Sequence, residues 1–332
     1  MIINEANLKL WSRFGSRATF GIAAVELAAT TDNLMVLTAD VSTSAGLERF
    51  RRTFPDKFLD VGIAEQNMMG IAAGLASEGF HVITTTFAPF QTMRCCEQIR
   101  VNLGYMGQKV CMVGLASGVA LGTLGYTHCC IEDVAIMRAI PGITVVCPAD
   151  CGETVKAVLA AVHHHESVYI RLTGSSNNPM VYREDYSFEF GKALWLREGR
   201  DVTIIATGTM VHESLEAAKL LEGDGIATAV VNMHTIKPLD NDAVTRACAE
   251  SALLVTAEEH SIIGGLGGAV AEFKATLKQT PPQLFIGLPD KYGKVGEYKY
   301  LLKKHGLTAN DMATRIRAAL VPDPGAGVTP LR

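Results

Sequence analysis

Short apolar runs alternate with helix-period segments along almost the whole chain. Leu34–Thr38, His81–Thr86, Val110–Val113, Thr144–Val146 and Val168–Leu172 are compact and rich in β-branched residues, and they read as strands. Between them, helical patterns fall at Thr19–Ala29, Glu65–Ser77, Cys95–Leu103, Glu132–Ala139 and Glu153–His163. A polar stretch, Gly174-Ser175-Ser176-Asn177-Asn178-Pro179, then reads as a linker. The alternation restarts with strands at Val202–Ala206, Ala227–Asn232 and Leu253–Thr256, and helices at Val211–Leu221, Asp240–Glu250 and Ala269–Leu277. The predicted fold class is α/β, as two successive α/β domains over residues 1–180 and 188–321, the first with a mostly parallel sheet. Residues 322–332, rich in Pro and Gly, are expected to be a disordered tail.

Composition narrows the function classes. The chain has 332 residues, 48% of them hydrophobic, enough for two cores. Net charge is −4 with scattered basic residues, which argues against nucleic acid or an anionic membrane as partner. No apolar run is long enough to span a bilayer, and the N-terminus lacks the features of a signal peptide. Eight cysteines occur without CxxC spacing, so a reducing, cytoplasmic compartment is expected. His128-Cys129-Cys130 has the wrong spacing for zinc, and His163-His164-His165 reads as a solvated helix end. No metal ligand is assigned to this chain.

The segment Asp60-Val61-Gly62-Ile63-Ala64-Glu65 reads as a strand end, a Gly turn and a helix opening on a carboxylate. Burial would raise the pKa of that carboxyl group, and the helix N-terminus would favour its ionised form. Such a group can exchange a proton with a ligand nitrogen; the plainer alternative is a Glu that offsets the helix dipole. Two glycine motifs carry less. Gly264-Gly265-Leu266-Gly267-Gly268 lacks dinucleotide spacing, and Gly223-Asp224-Gly225 reads as a turn between a helix and a strand.

Val61-Gly62-Ile63-Ala64-Glu65-Gln66-Asn67-Met68 resembles the pyrimidine-binding motif of transketolases. The likeness continues through Thr86-Phe87-Ala88-Pro89-Phe90, Glu97-Gln98-Ile99-Arg100, Gly125-Tyr126-Thr127-His128 and Ile131-Glu132-Asp133. In the second half it includes Thr235-Ile236-Lys237-Pro238-Leu239-Asp240 and Glu258-Glu259-His260. It covers about Arg17 to Ala319. The resemblance implies a thiamine pyrimidine-binding domain followed by a transketolase C-terminal-type domain, with thiamine diphosphate as cofactor. It assigns Glu65 to N1′ of the aminopyrimidine, and Phe87 and Phe90 to the walls of the ring's slot; core packing is their alternative. His128 would contact the donor's hydroxyls and move protons, and Arg17 and Ser44 would hold the substrate's phosphate. It further implies a partner, an N-terminal diphosphate-binding transketolase subunit that holds Mg2+ or Ca2+, in an α2β2 heterotetramer acting on ketose and aldose substrates.

Several positions depart from the family's pattern. Leu124 stands where an Asp usually bonds a substrate hydroxyl, and Leu forms no such bond. Ala116 and Gly174 match a phosphate-contacting His and Arg, and Cys96 a frequent Tyr. The expectation is a two-carbon ketol transferase for a modified, branched or non-phosphorylated ketose. The rivals are the beta subunit of a 2-oxo-acid dehydrogenase, a thiamine-dependent synthase, and a non-catalytic scaffold subunit. His260 is expected either to face the site or to be structural.

Overall fold

The computed structural model describes residues 1–174 and 176–321. The expected disordered tail, 322–332, lies outside the described residues. Two sheets organise the chain, and each is built around buried β-branched and apolar runs.

The first sheet has seven strands: β1 (Leu34–Thr38), β2 (Phe58–Asp60), β3 (His81–Phe87), β4 (Val110–Leu115), β5 (Ile143–Val146), β6 (Ser167–Arg171) and β10 (Thr235–Lys237). Their order is β10-β5-β6-β4-β3-β1-β2, all parallel except β10, which runs antiparallel to β5. β4, β5 and β6 are buried along their whole length, as strands covered on both faces must be. The second sheet joins β7 (Leu194–Arg197), β8 (Val202–Ala206), β9 (Thr228–Asn232), β11 (Leu253–Ser261) and β12 (Gln283–Leu288) in the order β12-β11-β8-β9-β7. Only β7 is antiparallel in it. The predicted succession of two α/β units, the first with a mostly parallel sheet, is the one found.

The helices cover both faces of the first sheet. Glu5–Phe14, Ser16–Thr30 and Cys151–Ala161 pack on one side, around Trp11, Phe20, Phe50 and Val158. Asn4 caps the first of these by accepting from the Asn7 amide at 2.9 Å. Asp150 caps the third, while the Glu153 carboxylate takes the Ala149 amide at 2.7 Å. On the other side, Met68, Met112, Met137 and Val145 merge into one core with Ile205, Val231, Leu254 and Val270 of the second sheet. The halves therefore share a core, and β10 physically crosses from one to the other.

Two expectations need qualification. Cys95–Leu103 is not one α-helix: Cys96–Gln98 makes a single turn, and Ile99–Tyr105 is π-helical. Tight packing of Gly104 against Ile140 and Pro141 accompanies the wider turn. The polar stretch read as a linker is pinned down, because the Asn177 and Asn178 amides donate to Arg13 and Ser12 carbonyls at 3.3 and 3.0 Å. On the helix Glu65–Ser77, Ala73 is buried, but Gly70 and Gly74 are exposed with open space above them.

Where β9 leads into β10, His234 is fully buried, and burial lowers its pKa to about 4. The unfolded chain takes up this proton below about pH 6.5, whereas the folded chain resists it until about pH 4. Stability is therefore lost as pH falls through that window. His234→Phe keeps a ring against Phe188, which lies 4.5 Å away between centroids. The variant is expected to lose less stability than the parent between about pH 7 and about pH 5, read from urea midpoints.

Candidate active site

The C-terminal ends of β1, β3, β4 and β6 lie side by side at one edge of the first sheet, where parallel α/β sheets place ligands. Glu65 opens the helix Glu65–Ser77 just beyond β2 and is only 4% exposed. Its Oε1 accepts from Arg94 Nη1 at 2.5 Å. The same guanidinium lies 3.9 Å over the Phe90 ring. Phe87, Phe90 and His128 form a triangle of edge-on rings, with centroids 6.1 Å apart for Phe87–Phe90, 5.8 Å for Phe87–His128 and 5.4 Å for Phe90–His128. The Thr127 hydroxyl sits 3.0 Å from His128 Nδ1. A buried carboxylate thus stands beside an aromatic wall, joined to it through one arginine.

Arg94 escaped the reading of the sequence, although it lies between Phe90 and Glu97 of the family-like segments. Its signal was an arginine close after the aromatic pair; the contact with Glu65 appears only when two elements meet. Next to it, burial foremost and then the Glu65 charge push the Cys95 thiol up to about 12, so it stays protonated.

Arg17 and Ser44 also come together. Arg17 Nη1 donates to the Ser44 carbonyl at 3.4 Å, and partial burial lowers the guanidinium's pKa. Ser16, beside Arg17, donates to the Thr173 carbonyl at 3.1 Å, which brings this helix start to the end of β6. There Gly174 adopts φ +78°, and a Cβ on it would fall 2.3 Å from Asn178 Oδ1. An arginine at 174 would be strained and would displace Asn178. Ala116 is buried with φ +52°, a left-handed conformation unusual for a residue bearing a Cβ. Leu124 is 53% exposed on the loop ahead of His128.

Other candidates resolve structurally. His260 is 1% exposed; its Nδ1 lies 2.8 Å from the Ser261 carbonyl and its Nε2 3.9 Å from Asp133 Oδ1. The amides of Leu266 and Gly267 in the glycine-rich turn donate to Glu258 at 2.7 and 2.8 Å, so that turn serves a carboxylate of this chain. Asp224 of the Gly-Asp-Gly turn accepts from Arg317 Nε at 2.7 Å. His164, His165 and Glu166 place potential ligand atoms within 4.8 Å of one another, near the start of β3 and away from Glu65.

The transketolase pyrimidine-binding domain family matches residues 13–178, and the transketolase C-terminal domain family matches residues 191–312. The chain belongs to the transketolase family. It is 42% identical to a 6-deoxy-6-sulfo-D-fructose transketolase subunit of Clostridium sp. strain MSTE9, covering 91% of this chain and 92% of that one. It is 38% identical to an apulose-4-phosphate transketolase subunit of Phocaeicola vulgatus strain ATCC 8482, over 88% of this chain and 93% of the relative. Among solved structures, a split-gene transketolase described as an inactive beta4 tetramer is 40% identical with a TM-score of 0.83, over 92% of this chain and 98% of that one. The chain is therefore the C-terminal partner type of a split, thiamine diphosphate-dependent transketolase, a transferase rather than a 2-oxo-acid dehydrogenase component. It also resembles the 1-deoxy-D-xylulose-5-phosphate synthase of Chlorobium luteolum strain DSM 273, at 34% identity, but spans only 47% of that enzyme.

Proposed function

We propose that this transketolase subunit transfers a two-carbon ketol unit from a non-standard ketose to an aldehyde acceptor, with Glu65 as the residue that engages the cofactor. The observation that carries this is the buried Glu65 carboxylate against the Phe87–Phe90–His128 wall. The set fits an aminopyrimidine: one carboxylate to share a proton with a ring nitrogen, and aromatic edges to exclude water around it. When bound, thiamine diphosphate supplies the nucleophilic centre and the electron sink that carbon–carbon cleavage of a ketose requires.

Glu65 holds a proton at N1′ of the pyrimidine. Arg94 engages Oε1, which leaves Oε2 for that nitrogen. Phe87 and Phe90 orient the ring and keep bulk water from the proton exchange. His128, its Nδ1 beside Thr127, accepts and returns a proton at the donor's hydroxyls. Arg17 and Ser44 bind the far end of the sugar, Arg17 through a charged fork suited to oxyanions. The metal–diphosphate half of the site, with Mg2+ or Ca2+, belongs to a diphosphate-binding partner in an α2β2 assembly working in the cytoplasm. Among the described residues, no helix is long and apolar enough to cross a membrane.

The substrate reading rests on Leu124, Ala116 and Gly174. Leu124 offers no hydrogen bond to a sugar hydroxyl, and Gly174 cannot readily carry a cationic side chain while Asn178 fills the space above it. The anion site is reduced to Arg17 and Ser44, so a ketose that is branched, or whose end is a singly charged sulfonate or carries no phosphate, suits it better than an ordinary pentose phosphate. The test is a donor panel with the diphosphate-binding partner present: D-xylulose 5-phosphate with ribose 5-phosphate, 6-deoxy-6-sulfo-D-fructose, a branched ketose phosphate and free D-fructose. A non-standard donor is expected to exceed xylulose 5-phosphate in kcat/KM by about tenfold or more, the discrimination a mismatched polar pocket can provide. The chain alone is expected to turn over none of them. Clear preference for xylulose 5-phosphate would defeat the substrate reading, and turnover without a partner would defeat the half-site reading.

A further inference from the structure

Loop 118–132 carries both Leu124 and His128, and the second half of the chain grips it at three levels. At its base, Gly118 and Cys130 exchange backbone hydrogen bonds of 2.7 and 2.9 Å. The Val119 amide donates to Glu259 Oε1 at 2.8 Å. Glu259, 1% exposed, also accepts from the Thr209 and Tyr298 hydroxyls at 2.8 and 2.6 Å. Gly118 has φ +66°, and a Cβ there would fall 2.2 Å from Glu259 Oε1, so backbone and carboxylate approach as closely as glycine allows.

Higher on the loop, the Gly296 amide donates to the Gly122 carbonyl at 3.0 Å. The Tyr292 ring lies 5.0 Å from that of Tyr126, and its hydroxyl donates to Glu132 Oε1 at 2.8 Å. On the return limb, the Ser261 amide donates to the Ile131 carbonyl at 2.9 Å. The loop's apolar residues Val119, Cys129 and Ile131 belong to the same core as Val255, Ile286 and Leu301 of the second half. The first half touches the loop at the Cys130 carbonyl, through Arg171, and at the His128 ring, but the loop's core-forming side chains point into the second half.

We infer that the second α/β unit acts as the positioning frame of the donor loop, with Glu259 anchoring its base and Tyr292 holding its crown. Leu124 and His128 are thus placed by residues that do not themselves reach the substrate. Naming this the donor loop rests on the function proposed above; the clamp itself does not. Glu259 is buried and serves three donors, so its loss would disturb the fold. Tyr292 is 69% exposed, so its loss can loosen the loop without opening a core.

The test uses the full chain and its complex with the diphosphate-binding partner. Tyr292→Ala is compared with Lys294→Ala, a change at a neighbouring exposed position. Amide hydrogen exchange in 120–128 is expected to rise about tenfold in Tyr292→Ala and to stay at the parent rate in Lys294→Ala, as for a local opening. β8 and β9 should exchange at parent rates in both. With the best donor of the panel, Tyr292→Ala is expected to raise the donor KM about fivefold, with acceptor KM and kcat within about twofold. Tyr292→Phe, which keeps the ring and loses only the hydroxyl, should fall between parent and alanine, and carries the comparison if the alanine variant fails to fold. Unchanged exchange in 120–128, or faster exchange with an unchanged donor KM, overturns the inference. Failure of the parent complex to use any donor would instead count against the proposed function.

Discussion

Glu65→Gln lowers kcat of the reconstituted complex by about 10²- to 10⁴-fold, the range spanned by a positioned acid–base group. The amide is isosteric and can still accept from Arg94, but it cannot take up and release a proton near neutrality. Stability should barely move. Arg94 is 42% exposed in its side chain, so weakening its pair with Glu65 strands no buried charge. Turnover and thermal midpoint measured on one preparation separate the two effects. A rate within about threefold of the parent would leave Glu65 as a helix-dipole residue and remove it from the chemistry. A large fall in midpoint would mean that the ion pair, not the proton, was the loss.

The second large effect is on stability. Asp133→Ala is expected to destabilise the chain by about 3–5 kcal/mol, because it strands a buried guanidinium. Asp133 is 0% and Arg171 2% exposed in their side chains, and Arg171 Nε donates to Asp133 Oδ2 at 2.8 Å. The Tyr169 hydroxyl donates to the same oxygen at 2.7 Å. Arg171 Nη2 reaches the carbonyls of Cys130 and Glu259 at 3.1 and 3.0 Å, which ties β6, the donor loop and β11 together. Burial pushes the Asp133 carboxyl up, but the Arg171 charge, His260 and the hydrogen bonds outweigh it and hold its pKa low. That stability is present above the unfolded carboxyl value of about 3.9 and is lost as pH falls through the lower folded value. Urea unfolding at neutral pH reads the main effect. Replacing both members by Leu and Met should recover part of the loss, since the pair is costly to bury as well as to break. A single-variant loss below about 1 kcal/mol would show that water or rearrangement satisfies Arg171.

Much of the scaffold was legible because the periodicities were strong. β1, β8 and the helix Glu65–Ser77 lie where the pattern put them. Several of the elements that escaped were short or amphipathic. β7 and β10 have four and three residues, too few for an alternation to register. Glu5–Phe14 and Ala309–Leu320 bury one narrow stripe and otherwise read as polar. The segment 95–105 misled because its spacing fits a helix, and a helical period does not distinguish the α-turn from the wider turn found at Ile99–Tyr105.

From residues alone came most of the alternation of strands and helices and the carboxylate at the opening of the Glu65 helix, while the aromatic pair was assigned to the same site by the family resemblance. Local patterns encode the first two, since each depends on neighbours within about one or two turns of chain. Folding in three dimensions alone decided that Arg94 would meet both Glu65 and Phe90. It also placed β10 in the other half's sheet and put Asn178 over Gly174. Glu259 and Tyr292 were likewise brought to a loop more than a hundred residues away. Apart from Arg94 with Phe90 and Asn178 with Gly174, four residues apart, these contacts join residues distant in the chain, and their identity follows from packed geometry, which no periodicity records.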